Sequence, residues 1–321
     1  MLNTPWEVLP GVWQITLPLP FELNSVNVYL VKLGDGWMLV DCGLGSAESL
    51  EELLAQLAVI GIPPPAITEI FLTHTHPDHV GQASRLLKLT GARLSMHRDE
   101  LDQLLKVARS GEKPLWLNSV LERAGVPAEL VSRIERSFDK IRANFQDLSP
   151  DTVLEGNEIL QTAIGPLQLV LTPGHSPGHL CLYSAERGVL FAGDHLLQKI
   201  TPNIGWLPGR DALADFFSSL ERVIPMELEC VLPGHGSPFA GHREWAVQTR
   251  RHHEERCERI LSALCAGLRS AHALVSDLWA RPLAPFHHRF AVFEVLAHLE
   301  YLRRREQVFG EPSDGVLLWR V

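Results

Sequence analysis

Apolar and polar positions trade places in short runs over the first forty residues, the period of half-buried strands. "GVWQITLPL", "NVYLVKL" and "GWMLVDCG" are rich in β-branched and aromatic residues, and Gly34-Asp35-Gly36 marks a turn between the last two. The period then lengthens. "SAESLEELLAQLAVIG" reads as an amphipathic helix, with Ser46 placed to cap its start and Gly61 its end. A buried strand "ITEIFLTH", a helix "VGQASRLLKLTG" and a strand "ARLSMH" follow.

From about residue 99 to 147 the pattern is helical only, as in "DELDQLLKVARSG" and "AELVSRIERSFDKIRANF", which predicts a helical insertion. Strands resume with "TVLEGNEIL", "LQLVLTPG", "HLCLYSA" and "GVLFAGD". The helix "RDALADFFSSLERVI" and the strand "ECVLPGHG" complete this half. Two β-rich halves, 10–97 and 150–236, therefore repeat one order, strands first and then a strand–helix pair. The remainder reads as three helices and a closing strand, "GVLLWRV".

Composition adds size, and charge adds a boundary. The 321 residues are 45% hydrophobic and 21% charged, enough for one large core and an appendage. The formal net charge of −9 disfavours non-specific binding of nucleic acid by the whole chain. Residues 250–321 carry eleven arginines against nine acidic residues, so the net negative charge lies entirely before them. That shift predicts a domain of residues 1–245 and a second of 246–321. The start "MLNTPWEVLPGVWQ" shows no signal-like pattern, and no run approaches the ~20 apolar residues of a membrane helix. Five cysteines without C-x-x-C spacing fit a reduced, cytoplasmic setting, and no membrane partner is expected.

The candidate chemistry sits where apolar strands end. "FLT" runs into His74, His76, Asp78 and His79; "LVLTPG" into His175; "LFAG" into Asp194; "CVLPG" into His235; and "WMLV" into Asp41. Loops beyond strand ends are where sites are assembled in α/β proteins. Neutral imidazole and carboxylate suit Zn²⁺, Fe or Mn. The dense H-x-H-x-D-H spacing lets one segment feed two ions roughly 3.5–4 Å apart. Three loop histidines alone could be solvated polar residues; four more Asp/His at strand ends leave little room for that reading.

"THTHPDHVG" matches the T-H-x-H-x-D-H-x-x-G signature of the metallo-β-lactamase fold hydrolases. "VDCG", "TPGHSPGH", "FAGD" and "LPGHG" resemble that family's other motifs in the same order, and the resemblance covers about residues 10–240. It implies an α/β fold, a four-layer αβ/βα sandwich with the site along one edge. It further implies two divalent metal ions, Zn²⁺ foremost with Fe or Mn as alternatives. His74, His76 and His175 would hold the first ion. Asp78, His79 and His235 would hold the second, and Asp194 would bridge them. Asp41 would orient a ligand histidine. His179 and His195 fall outside the ligand pattern.

The expected chemistry is attack by a metal-bridging hydroxide on a small-molecule thioester, ester or lactone, as in hydroxyacylglutathione hydrolases, with Asp78 and Asp194 the catalytic carboxylates. Substrate contact is expected from Lys199, Asn203 and Trp206 in the loop "QKITPNIGWLPG" and from Trp116, Phe138 and Phe145 in the insertion; for these aromatics ordinary helix packing is the competing reading. The tail resembles a small winged-helix-like domain of proteins similar to a human β-lactamase-like endoribonuclease, which keeps a nuclease or phosphodiesterase as the alternative. Its third helix, "FAVFEVLAHLEYL", is largely apolar, so packing or a homodimer contact is preferred to a nucleic-acid groove. A metal-binding sensor that hydrolyses nothing is the non-enzyme alternative.

Overall fold

The computed structural model describes residues 4–20, 23–109, 115–142 and 148–321. Its first sheet has seven strands in sequence order: β1 (Trp6–Leu9), β2 (Val12–Pro18), β3 (Ser25–Lys32), β4 (Trp37–Val40), β5 (Ile67–Phe71), β6 (Arg93–His97) and β7 (Thr152–Leu154). The strands β1 to β4 pair antiparallel, and β4 to β7 pair parallel. The switch follows from the connections. Hairpins join the early strands, whereas helices α1 (Ala47–Val59), α2 (Pro77–Val80) and α3 (Ala83–Thr90) intervene later. Ser46 caps α1 by accepting the Ser49 N–H, as the sequence predicts.

A second, five-stranded sheet contains β8 (Ile159–Thr162), β9 (Gly165–Leu171), β10 (Leu180–Ser184), β11 (Val189–Gly193) and β12 (Cys230–Pro233), with β12 parallel to β11 and the rest antiparallel. Tyr29, Met38, Val40 and Phe71 of the first sheet meet Leu167, Leu180, Leu182 and Phe191 of the second in a buried layer. Leu53, Leu57 and Leu86 of α1 and α3 cover the outer face of the first sheet. Phe216 and Leu220 of α7 (Ala212–Val223) cover that of the second. This is the four-layer αβ/βα sandwich, and strand ends from both sheets converge along one edge.

One sequence expectation needs correction. "TVLEGNEIL" is two strands, and β7 belongs to the first sheet although it lies in the second half of the chain. The chain crosses between sheets at residues 155–158, where the Glu158 carboxylate accepts the N–H groups of Glu155, Gly156 and Asn157.

The insertion is helical as expected, with α4 (Arg98–Arg109), α5 (Leu115–Arg123) and α6 (Ala128–Arg142). Leu117, Leu121, Val131 and Ile134 are buried in the core that also holds α7. The rest of the chain follows as α8 (His242–Cys265), β13 (Arg269–Ser270), α9 (Ala271–Leu278), α10 (Pro285–Arg304), β14 (Phe309–Ser313) and β15 (Val316–Arg320). Three strands, ordered β13-β15-β14, replace the single closing strand read from the sequence. Asp314 and Gly315, both at positive φ (48° and 82°), make the two-residue turn between β14 and β15, so an Asp-Gly signal for a hairpin was present. The helix α8 runs without interruption across the expected boundary at 245. Val292, Val295 and Leu299 of α10 share one core with Phe216, Leu220 and Ile260.

Candidate metal centre

The strand-end residues meet in space. β5 delivers Thr73 and His74; His76, Asp78 and His79 follow, the last two on the short helix α2. The loops after β9, β11 and β12 bring His175, Asp194 and His235. His74, His76, His175 and Asp194 form one group able to hold a metal ion, and Asp78, His79 and His235 form another. Asp194 lies between them. Its Oδ2 is 3.6 Å from His175 Nε2 and 3.4 Å from His235 Nε2, and its Oδ1 is 3.4 Å from His79 Nε2.

Four of the five histidines are turned by a partner on the ring's other side. His79 Nδ1 donates to Asp41 Oδ2 at 2.8 Å, and His235 Nδ1 donates to the Ser25 carbonyl at 2.7 Å. His175 Nδ1 donates to the Asn203 carbonyl at 2.9 Å. The Thr73 hydroxyl donates to Asp41 and receives the His74 Nδ1–H at 2.9 Å. These bonds fix the tautomers and aim the remaining nitrogens inward. Nε2 of His74, His79 and His235, with Asp194 Oδ1, is buried and has no hydrogen-bond partner. His76 Nδ1 and His175 Nε2 face each other at 2.8 Å. Buried polar groups are ordinarily paired; convergent orphan imidazole and carboxylate atoms are a donor set that fits a divalent ion.

The two groups differ in charge. Burial pushes His74 well below its usual range, and it pushes His76 down to about 3, with the neighbouring histidines acting in the same direction. Burial lowers His175 too. At His79 and His235 burial also lowers the pKa, but the Asp194 and Asp78 carboxylates, joined at His79 by Asp41, outweigh it. His79 ends well above the usual range, and His235 is raised to about 10. Burial would raise Asp78 and Asp194. The facing imidazoles outweigh it, holding Asp78 down at about 2 and Asp194 well below the usual range.

Supporting residues on elements the sequence reading identified, such as Glu100 and Asn27, went unremarked there. Glu100 of α4, fully buried, accepts the Thr75 N–H and hydroxyl at 2.8 and 2.7 Å and the Gly178 N–H at 2.8 Å, tying two ligand loops together. Asn27 of β3 donates to the carbonyls of Pro233 (3.1 Å) and Gly236 (2.7 Å), seating the His235 loop. A lone buried Asn inside an apolar strand was the signal for it. His179 accepts the Asp194 N–H at 3.1 Å, whereas His195 packs edge-on against Phe216. A Cβ at Gly234 would stand 2.3 Å from Asp194 Oδ1, so only glycine lets the backbone pass so close.

The loop 198–209 borders the site through Asn203. The Asn203 side chain donates to Glu294 Oε2 at 2.7 Å, and Trp206 packs against Phe293. Lys199 is exposed and adopts φ 68°. Phe145 lies outside the described residues, as do the side chains of Trp116 and Phe138.

The architecture and the site define a class of protein, and comparison bears this out. The metallo-beta-lactamase superfamily model matches residues 22–235, and the model of the metallo-beta-lactamase-like C-terminal domain matches residues 257–320. The chain belongs to the metallo-beta-lactamase superfamily. A metallo-beta-lactamase family protein of Thermus thermophilus superposes with a TM-score of 0.87 at 32% identity, covering 98% of this chain and 99% of that one. Among curated proteins, the probable metallo-hydrolase YqjP of Bacillus subtilis (strain 168) is 27% identical over 70% of this chain and 71% of its own. The acyl-coenzyme A thioesterase MBLAC2 of Homo sapiens is 26% identical over 68% of this chain and 76% of its own. Like those relatives this chain is a hydrolase by family, with His/Asp groups able to bind metal. Among the described residues no helix is long and apolar enough to cross a membrane.

Proposed function

We propose that this protein is a dinuclear metal-dependent hydrolase of a thioester, with esters and lactones as further electrophiles of the same kind. The observation that carries the proposal is the position of Asp194, whose two oxygens reach toward histidines of both groups. His74, His76 and His175 would hold one ion, and Asp78, His79 and His235 the other. Bound there, divalent ions supply Lewis acidity and a deprotonated water at neutral pH. The protein's own share is to fix the histidine tautomers, to keep the site buried and to place Asp78, the more exposed of the two carboxylates, where it can pass a proton to a leaving group. Lys199, Asn203 and Trp206 are proposed to border the substrate, Lys199 with its side chain free in solvent.

The thioester preference draws on the acyl-coenzyme A thioesterase activity named for the human relative. A thioester also needs little protonation of its leaving group, whereas a phosphodiester needs more. The element order α8-β13-α9-α10-β14-β15 supports the winged-helix-like reading of the tail. However, α10 spends Val292, Val295, Leu299 and Leu302 on the core rather than on a groove reader, which argues against the nuclease alternative. The test is a panel of acyl-coenzyme A thioesters, aryl esters, lactones and phosphodiesters presented to protein of known zinc content. Thioester turnover that a chelator removes and zinc restores is expected. Turnover of phosphodiesters alone would overturn the assignment.

A further inference from the structure

Outside the two metal groups, His253, Arg256, Glu294 and His298 form a buried cluster of titratable side chains where α8 meets α10. His253, Glu294 and His298 are close enough together to hold an ion. Their hydrogen bonds assign them another task. His298 Nδ1 donates to the Glu294 carbonyl at 2.7 Å, leaving Nε2 to accept from His253 Nδ1 at 3.2 Å. The Arg256 guanidinium, stacked on Trp279, pairs with Glu294 Oε1. Glu294 Oε2 is taken by the Asn203 amide at 2.7 Å. With a cation already on its carboxylate and both oxygens engaged, Glu294 is a poor metal ligand and a good anchor.

What Glu294 anchors lies next to the metal centre. The residue whose side chain it holds, Asn203, offers its backbone carbonyl to His175 Nδ1 at 2.9 Å. The Asn203 amide is also 3.5 Å from the Phe290 carbonyl, and the Trp206 N–H donates to the Phe293 carbonyl at 2.9 Å, so α10 grips this loop at several points. A carbonyl on a loop orients a histidine only if the loop is held. Here the restraint comes from a helix more than 80 residues further along the chain.

We infer that Glu294, fixed by Arg256, is a positioning residue for the metal centre: through the Asn203 side chain it sets the carbonyl that orients His175, making the C-terminal segment part of the site. This rests on the proposed role of His175 as a metal ligand. Partners of ligand histidines are worth about 10- to 100-fold in metal affinity.

The decisive variant is Asn203→Ala, which cuts the link while leaving the backbone carbonyl and the Arg256–Glu294 pair in place. Glu294→Gln keeps an acceptor for Asn203 and serves as the conservative rescue. Arg304→Ala is the control, because Arg304 grips the same loop at the Gly209 carbonyl, away from His175. For each full-length protein the readouts are cobalt(II) affinity by chelator competition, the cobalt absorption spectrum, and the melting temperature without metal. Asn203→Ala should weaken cobalt binding by about 10- to 100-fold and shift the spectrum, with metal-free melting close to wild type. Glu294→Gln should lie between Asn203→Ala and wild type, and Arg304→Ala should match wild type. Variants with wild-type affinity and spectrum would overturn the inference, as would effects confined to melting temperature. Wild-type protein that takes up no metal would overturn the reading of the site and the inference together.

Discussion

The two histidine groups lie side by side and are built on opposite electrostatic plans. His74 and His175 are aimed by neutral partners, a threonine hydroxyl and a backbone carbonyl, and burial holds the pKa of both, and of His76, below the usual range. His79 and His235 face Asp78 and Asp194, with Asp41 also beside His79, and these carboxylates raise the pKa of both imidazoles. A metal ligand must be deprotonated. The first group is therefore ready for an ion, whereas the second must give up protons to accept one. Two sites can share a carboxylate and still fill by different chemistry.

The largest effect should come from removing what the groups share. Asp194→Ala is expected to abolish turnover and to lower metal content at both groups, with the chain still folded. Retained turnover would place the chemistry elsewhere. His76→Ala should also abolish turnover, but it strikes the first group alone.

Proton counting sharpens the contrast. Titrating zinc near pH 7 in buffers of different ionisation enthalpy should show an early phase with little proton release. A later phase should release about one proton from each charged imidazole. The affinity of the later phase should fall roughly tenfold for each unit by which the pH is lowered, per proton displaced. Equal release in both phases would break the comparison. Two members of the second group act on the stability of metal-free protein with opposite signs. The raised pKa of His235 contributes stability that is complete below its ordinary value of 6.5 and lost as pH rises through about 10. The lowered pKa of Asp78 contributes stability present above 3.8 and lost as pH falls through about 2. Melting temperatures of chelator-treated protein across that range check both signs.

Asp41→Asn should be milder. It removes the charge beside His79 and loosens Thr73, so affinity at the second group should fall by about 10- to 100-fold and at the first by less. Equal loss at both would mean that Thr73 transmits as much as the direct bond. The smallest effect is expected for Glu100→Gln. It turns one acceptor of the loop tie into a donor and should cost about 1–3 kcal/mol in stability, read as a lower melting temperature, with the zinc stoichiometry unchanged.

Much of the site was legible because its residues share one local context, the end of an apolar strand, and because the spacing in "THTHPDHVG" repeats a family pattern. Asp41 was legible for the same reason. Glu100 and Glu294 were not. Each acts through hydrogen bonds to residues 78 and 91 positions away, and a carboxylate on a helix gives no local sign of being buried. The four-layer fold followed from strand–helix order, but the transfer of β7 to the first sheet did not. Nothing within "TVLEGNEIL" tells which sheet a three-residue strand will join. The hairpin β14–β15 was missed although Asp314-Gly315 announces it.

The unbroken run of α8 through residue 245 has a consequence for how the molecule comes apart. Residues matched by two different family descriptions pack into one hydrophobic core on either side of that helix. Heat or a protease is therefore expected to open the described residues there together rather than at a seam. Cutting the chain at its compositional boundary would sever a helix in mid-course and strip α7 of its cover. Two family descriptions divide this chain, but one buried core spans both parts, so a single unfolding transition is expected.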